Sequence, residues 1–170
     1  VITDLADIAR LQAGDYPLYK QKTTIQNIFE ELQLKAGQQI QKHNSKSDIQ
    51  WKLQATDKSI STDSEALLGA LIKIIDNAIK YNQNDEITVE SFVEENNIIF
   101  IISDQGPGIQ NVEFAMKAFR QEAKQSEDLN EGLGLGLTIA SLLLKLLNAK
   151  MNMVNNQNKG TSFKINMPLE

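Results

Sequence analysis

The spacing of apolar positions along the first third of the chain predicts helices separated by a short strand. An apolar repeat at helical spacing, ended by Gly14, predicts a helix over residues 1–13. A weak strand is expected at about residues 18–22. Thr23 and Gln26 then form a possible capping box for a second helix. The apolar stripe of this helix consists of Ile25, Ile28, Phe29, Leu32 and Ala36.

The middle of the chain predicts three strands around one long helix. Apolar and polar residues alternate over 49–53, which is typical of a half-buried strand. Asp63 is placed to cap a helix that reaches about Tyr81. Residues 86–103 predict a hairpin. Its second strand contains the continuous apolar run 98–102, which favours a central strand covered on both faces.

The last third predicts a helix-rich segment and a closing pair of strands. We expect a short helix near 112–119 and a mobile polar loop at 120–131. Two strands, at about 150–154 and 161–167, should end the chain. Between the loop and these strands an amphipathic helix is predicted by Leu135, Ile139, Leu142, Leu143 and Leu146. The order of elements predicts an α+β protein, a two-layer α/β sandwich in which helices cover one face of a mixed, mostly antiparallel sheet.

Composition narrows the class of protein. The 170 residues carry a formal net charge of −5, which argues against broad binding to nucleic acid. There is no cysteine, which excludes disulfides and thiolate metal sites. The apolar runs are too short to cross a bilayer, so we expect a cytoplasmic domain without membrane contact. The sequence begins at Val1 inside a predicted helix, which favours an origin within a longer protein.

The long helix after Asp63 has two different faces. Its core-facing sector contains Leu67, Leu68, Leu71, Ile72, Ile75, Ala78 and Ile79. Its opposite face contains Lys73, Asn77, Lys80, Tyr81 and Asn84. An amide oxygen can ligate Mg²⁺, a cation can meet phosphate, and an aromatic ring can cover a base or ribose. The alternative is an ordinary solvated face that happens to include a tyrosine.

Two glycine-rich segments could bind a nucleotide. The first, Asp104-Gln105-Gly106-Pro107-Gly108-Ile109, follows a buried strand, and its aspartate could accept a hydrogen bond from the amino group of adenine. The second, Gly132-Leu133-Gly134-Leu135-Gly136-Leu137, precedes a helix and could offer N–H groups to phosphate. It matches neither the dinucleotide fingerprint nor the Walker loop. Taken singly, the first segment could be an ordinary turn and the second a hinge.

In combination and in this order, these segments resemble the ATPase domain shared by sensor histidine kinases, type II topoisomerases, Hsp90 chaperones and MutL proteins. The sequence Asp76-Asn77-Ala78-Ile79-Lys80-Tyr81 resembles the asparagine motif of the kinases. The segments beginning at Asp104 and Gly132 resemble their two glycine boxes. Lys159-Gly160-Thr161-Ser162-Phe163 resembles their terminal Gly-Thr motif. Residues 4–14 resemble the end of the kinase dimerisation hairpin.

The resemblance implies a Bergerat-type ATP-binding fold with residues 1–14 as a remnant of the dimerisation hairpin and residues 15–170 as the catalytic domain. It implies that Asn77 and Lys80 are catalytic, with Asn77 holding Mg²⁺ and Lys80 touching phosphate. Asp104 would bind adenine. The other implied nucleotide-binding residues are Tyr81, Gly106, Gly108, Ile109, Phe119 of the lid, Gly132, Leu133, Gly134, Leu135, Gly136 and Thr161.

The implied activity is transfer of the γ-phosphoryl group of Mg-ATP to a histidine of an upstream dimerisation domain. From there it would pass to an aspartate of a response-regulator receiver domain. His43, the only histidine here, lies in a polar stretch and is expected on the surface. Lys73 stands where the ATP-hydrolysing relatives carry a catalytic glutamate, so we expect weak hydrolysis. This domain alone should be a monomer or weak dimer.

Three alternatives remain open at the level of the sequence. The chain could be a regulatory nucleotide-binding module without kinase activity. It could be a serine kinase of the anti-sigma-factor type, although the resemblance of residues 4–14 to the hairpin argues against this. It could also be a purely structural interaction domain, in which case both glycine segments and the polar helix face would be accidental.

Overall fold

A computed structural model of the chain describes residues 2–81, 86–106, 134–155 and 160–170. Within these residues the helices are α1 (Ile2–Ala13), α2 (Ile25–Lys42), α3 (Ser64–Tyr81) and α4 (Gly134–Leu146). The strands are β1 (Gln21–Thr24), β2 (Asp48–Leu53), β3 (Ser59–Thr62), β4 (Glu86–Glu94), β5 (Asn97–Ser103), β6 (Lys150–Asn155) and β7 (Thr161–Pro168). The helix expected near 112–119 and the loop expected at 120–131 lie outside the described residues.

Five strands form the main sheet, in the order β2-β4-β5-β7-β6. β2 runs parallel to β4, and every other neighbouring pair is antiparallel. β1 and β3 form a separate antiparallel pair. The predicted α+β class with a mixed, mostly antiparallel sheet is therefore confirmed, as are the 86–103 hairpin and the closing pair of strands.

The main core lies between the helices and one face of the sheet. Ile98, Phe100 and Ile102 of β5 are buried in it together with the apolar stripes of the helices. The ring of Phe29 packs edge-on against Phe100, with 5.7 Å between ring centroids. β5 is central, as predicted, but Ile101 on its other face is only half-buried, so full cover on both faces was wrong at this position.

The stripe predicted for α2 is buried at all five positions. The residue that caps this helix differs from the prediction. The hydroxyl of Thr24, rather than that of Thr23, accepts the N–H of Asn27 at 3.1 Å. Gln26 does not complete a capping box with Thr23, and its amide instead donates to Glu30 at 2.9 Å.

Asp63 caps α3 as predicted, because its Oδ1 accepts the N–H of Ala66 at 3.0 Å. Its Oδ2 accepts the N–H of Tyr19 at 2.8 Å, which fixes the segment between α1 and β1 to the start of α3. The predicted core face of α3 is buried except at Ile72, which is half-buried. Ile74 is also buried, so the core-facing sector is broader than predicted.

The small sheet is the largest difference between the predicted and the observed fold. The strand expected at residues 18–22 lies instead at Gln21–Thr24, and β3, with which it pairs, was not predicted. β3 has only four residues, of which Ile60 alone is a large apolar residue. One apolar position cannot establish an alternating pattern, so the sequence contained no periodic signal for this strand.

Candidate functional site

The connections between elements bring the predicted site residues to one end of the sandwich. Residues 82–85 join the end of α3 to the start of β4, so these two ends must be close together. In the antiparallel ladders, the start of β4 pairs with the end of β5, and the end of β5 pairs with the start of β7. β6 runs antiparallel to β7, so β6 begins at the opposite end of the sheet. A short turn joins the end of α4 to the start of β6, so the start of α4 lies at the same end as the start of β7.

Asp104, directly after β5, is the buried carboxylate of this end, with 8% of its surface exposed. Its Oδ1 accepts the backbone N–H groups of Gly106 at 2.9 Å and of Thr161 at 3.3 Å. Its own N–H donates to the carbonyl of Thr161 at 2.9 Å. Burial raises the pKa of the Asp104 carboxyl above its ordinary value, and the two N–H donors partly oppose that shift. Asp104 and Thr161, which the resemblance assigned to the same site, therefore lie side by side.

Gly160 makes this close contact possible. Its φ angle is +94°, and a Cβ at this position would lie 1.9 Å from the carbonyl oxygen of Asp104. Only a residue without a side chain lets β7 begin so close to the end of β5. Sequence reasoning missed this positioning role, although Gly160 stood within the segment that resembles the terminal Gly-Thr motif.

Of the polar face predicted for α3, the structure describes the side chains of Lys73, Asn77 and Lys80, and Asn84 lies outside the described residues. Asn77 is half-buried in the penultimate turn, and the Lys80 side chain is 49% exposed. Tyr81 is the last residue of α3, and the structure describes its backbone position only. Lys80 and Asn77 therefore lie on the helix end that points towards Asp104.

His43 is not the solvated surface residue that the sequence suggested. Its side chain is 25% exposed, and its Nε2 lies 2.7 Å from Oδ1 of Asp76. The other oxygen of Asp76 lies 3.2 Å from Nζ of Lys80. This contact was missed because the two residues are 33 positions apart and no pattern in the sequence connects them.

Gly134, Leu135 and Gly136 lie in the first turn of α4, so the glycine segment expected to precede this helix overlaps its start, and Leu135 lies in the helix as predicted. The first turn of a helix has N–H groups without intrahelical partners, so the segment keeps its capacity to bind an anion. A Cβ on Gly136 would lie 3.5 Å from Cδ of Lys73, which places α3 directly beside this turn. The predicted residues Gly108, Ile109, Phe119, Gly132 and Leu133 lie outside the described residues.

The donor set fits a nucleotide better than a metal ion bound by protein alone. In the described part of the chain, no cluster of three histidine, cysteine or acidic side chains could hold a metal. Asn77 supplies one amide oxygen, and Mg²⁺ commonly takes its remaining ligands from phosphates and water. The site thus combines a buried carboxylate for a base, a helix N-terminus for phosphate and an amide beside a cation.

Fold and site together define an ATP-binding α/β sandwich. The chain belongs to the family of histidine kinase-, DNA gyrase B- and HSP90-like ATPases, whose family model matches residues 62–170. This match confirms the family recognised from the sequence, and it confirms ATP as the nucleotide of this domain.

Known proteins with similar sequence or fold include a sensor kinase and a histidine kinase. The autoinducer 2 sensor kinase/phosphatase LuxQ of Vibrio vulnificus is 26% identical over 185 residues, which cover 100% of this chain and 21% of that protein. The histidine kinase AdeS of Acinetobacter baumannii has a similar fold, with a TM-score of 0.75 and 22% identity over 99% of this chain and 77% of that chain. The crystal structure of full-length ShkA in complex with AMPPNP matches with a TM-score of 0.78 and 22% identity, over 98% of this chain and 35% of that chain.

The chain spans about a fifth of the length of the curated relatives that it matches. Among the residues that the structure describes, no helix combines the length and the apolar character needed to cross a bilayer.

Proposed function

We propose that this chain is the catalytic part of a histidine kinase of two-component signalling. It binds Mg-ATP and transfers the γ-phosphoryl group to a histidine of a dimerisation domain. Residues 1–14 are the end of that domain's hairpin in this proposal, and residues 15–170 are the catalytic domain. The phosphoryl group then passes to an aspartate of a response-regulator receiver domain.

The observation that carries the proposal is the environment of Asp104. One carboxylate oxygen is occupied by two backbone N–H groups, which fixes the orientation of the side chain. In the described residues no hydrogen bond ends on the second oxygen. A carboxylate oxygen whose orientation is fixed in this way is a strong acceptor for the exocyclic amino group of adenine. Thr161, 3% exposed, lies against the same carboxylate and completes the base site.

The neighbouring ends of α3 and α4 support the proposed phosphate-binding part of the nucleotide site. The N–H groups of the first turn of α4 have no partners within the helix and favour an anion, and the positive end of the helix dipole adds to this effect. Asn77 holds Mg²⁺ and Lys80 contacts phosphate in this proposal. The ion, when bound, neutralises charge on the transferring phosphoryl group.

The residue types favour a kinase over an ATPase that activates water. Lys73 stands one turn before Asn77, and a lysine is a poor base near neutral pH. In this proposal the phosphoacceptor is a histidine of the dimerisation domain rather than His43, as the resemblance of the motifs to those of the kinases implies. The kinase names of LuxQ and AdeS support this choice.

Titration calorimetry with AMPPNP, with and without Mg²⁺, tests the nucleotide site. Asp104→Asn keeps one acceptor oxygen for Gly106 and Thr161 but replaces the other with an N–H₂ donor, which opposes the amino group of adenine. We expect this variant to remain folded and to lose about ten- to hundredfold in affinity. Asn77→Ala should remove the dependence on Mg²⁺.

Asp57→Asn is the matched control, because Asp57 is exposed in the turn between β2 and β3, at the opposite end of the sheet. It should bind like the wild type. If Asp104→Asn also binds like the wild type, the proposed adenine contact is wrong. Transfer of label from γ-labelled ATP to a separately supplied histidine-hairpin domain tests the kinase activity. Binding without transfer would favour the regulatory-module alternative.

A further inference from the structure

Three side chains form a continuous hydrogen-bonded chain from the end of α2 to the polar face of α3. Nε2 of His43 lies 2.7 Å from Oδ1 of Asp76, and Nζ of Lys80 lies 3.2 Å from Oδ2 of the same residue. His43 and Asp76 are partly shielded, with side-chain exposures of 25% and 20%. Lys80 is more exposed, at 49%.

The chemistry of the three groups fixes the direction of both bonds. An ionised carboxylate only accepts, so the Nε2–H of His43 donates to Asp76, and the ammonium of Lys80 donates to the other oxygen. With one partner on each oxygen, the carboxylate cannot rotate without breaking a bond. The backbone of His43 is itself held, because its N–H donates to the carbonyl of Gln39 at 3.0 Å.

Asp76 in turn determines where the Lys80 ammonium lies. Residues four apart are neighbours on a helix surface, so the ion pair draws the side chain back along α3 rather than out into solvent. On the helical wheel, Lys80 lies between Asp76 and Asn77. An ammonium has three N–H donors, and one of them satisfies Asp76. Among the described residues, Asp76 is the ion-pair partner of Lys80, which leaves two N–H donors for a ligand beside Asn77.

We propose that His43 is a positioning residue of the nucleotide site, which acts through Asp76 to hold the Lys80 ammonium on the polar face of α3. The long lysine stem has considerable rotamer freedom, and holding it before the nucleotide arrives reduces the entropy lost on binding. The inference depends on the proposed function, because it takes Lys80 as a phosphate contact. The sequence gives no indication of this role for His43.

The test is a double-mutant cycle on the complete 170-residue chain, with Mg-AMPPNP as the probe. His43→Ala should weaken binding about three- to tenfold, the range expected for the loss of one hydrogen bond. His43→Gln, whose amide can donate to Asp76, should restore most of the affinity. In a Lys80→Ala background, His43→Ala should change the affinity less than about twofold, because the residue through which it acts is gone.

Gln41→Ala is the control for a change at the same exposed end of α2, and it should bind like the wild type. Equal weakening by His43→Ala in the presence and absence of the Lys80 side chain would indicate a general structural effect and overturn the proposal. Tighter binding by His43→Ala would also overturn it. It would mean that His43, by holding Asp76 in place, helps Asp76 to compete with phosphate for Lys80. If Lys80→Ala alone binds Mg-AMPPNP like the wild type, both the role assigned to Lys80 and this inference are wrong. The proposed adenine contact of Asp104 is not affected by that result.

A spectroscopic measurement examines the first link directly. His43 is the only histidine in the sequence, so every imidazole signal belongs to it. Nε2 is distinguished from Nδ1 because it couples to both ring C–H protons, whereas Nδ1 couples strongly to only one. We expect a protonated Nε2 in the wild-type chain and a changed Nε2 signal in Asp76→Asn. An Nε2 that is unprotonated near neutral pH, or a signal unaffected by Asp76→Asn, would show that the bond to Asp76 does not form and would overturn the proposal.

Discussion

Replacing Gly160 with alanine tests whether the close approach of β7 to Asp104 organises the site. The added methyl group would lie 1.9 Å from the carbonyl oxygen of Asp104, 2.7 Å from its carbonyl carbon and 2.8 Å from Cα of Gln105. All three are backbone atoms, so no side-chain rotation can relieve the contact. The chain must instead separate Thr161 from Asp104, which lengthens the bonds between them.

The magnitude follows from two effects. A left-handed φ costs a residue with a side chain about 1–2 kcal/mol. Forcing extra volume into a packed position costs about 1–3 kcal/mol more. Together these predict a loss of roughly 2–5 kcal/mol, which corresponds to a melting temperature lower by roughly 5–15 °C for a domain of this size.

Gly14→Ala separates the two effects, because Gly14 also has a positive φ, +75°, but a Cβ there would meet nothing within 4 Å. It should lose only the backbone contribution, about 1–2 kcal/mol, and bind AMPPNP like the wild type. Urea unfolding and calorimetry of both variants give the comparison. A Gly160→Ala variant that is no less stable than Gly14→Ala, or that binds AMPPNP normally, would refute the reasoning.

Two further predictions concern the buried aspartates. Asp63→Ala removes the cap of α3 and leaves the N–H of Tyr19 without its partner, so urea unfolding should show a loss of roughly 2–4 kcal/mol. Asp63→Asn should avoid only part of this loss, because its single acceptor oxygen can serve Ala66 or Tyr19 but not both. Asp104→Asn should be as stable as the wild type or more stable at neutral pH, because the pKa of Asp104 is raised and its ionised form is the less favourable one in the folded state. As the pH falls through this raised pKa towards 3.8, folded wild-type protein takes up a proton at Asp104 and its free energy of unfolding rises. The difference in free energy of unfolding between the variant and the wild type should therefore shrink in urea titrations at lower pH. A difference that grows would contradict the assigned shift.

The fold was largely predictable where one element carried its own pattern. The stripe of α2, the alternation in β2 and the cap at Asp63 each depend on residues close together in the sequence, and each is confirmed. β3 was missed because a four-residue strand with one large apolar residue has no measurable period. Its position is set instead by tertiary pairing with β1.

The residues of the candidate site could be named from the sequence, but the contacts between them could not be predicted. The segments at Asp104 and Thr161 are recognisable singly, yet the bond between them joins residues 57 positions apart. The steric requirement at Gly160 and the pairing of His43 with Asp76 arise only when distant segments meet. Such contacts leave no local spacing in the sequence, so the structure was needed to find them.

A comparison of Asp63 with Asp104 shows why one buried aspartate serves the fold and why we propose the other as a binding residue. Both are nearly buried, at 7% and 8% exposure. Asp63 uses both oxygens, one for Ala66 and one for Tyr19, so its hydrogen-bonding capacity serves the fold. Asp104 receives both of its bonds, among the described residues, on a single oxygen, and burial raises its pKa. A carboxylate that is fixed in place, poorly solvated and open on one oxygen destabilises the folded state until a donor binds to it. This property is expected of a group that recognises a ligand.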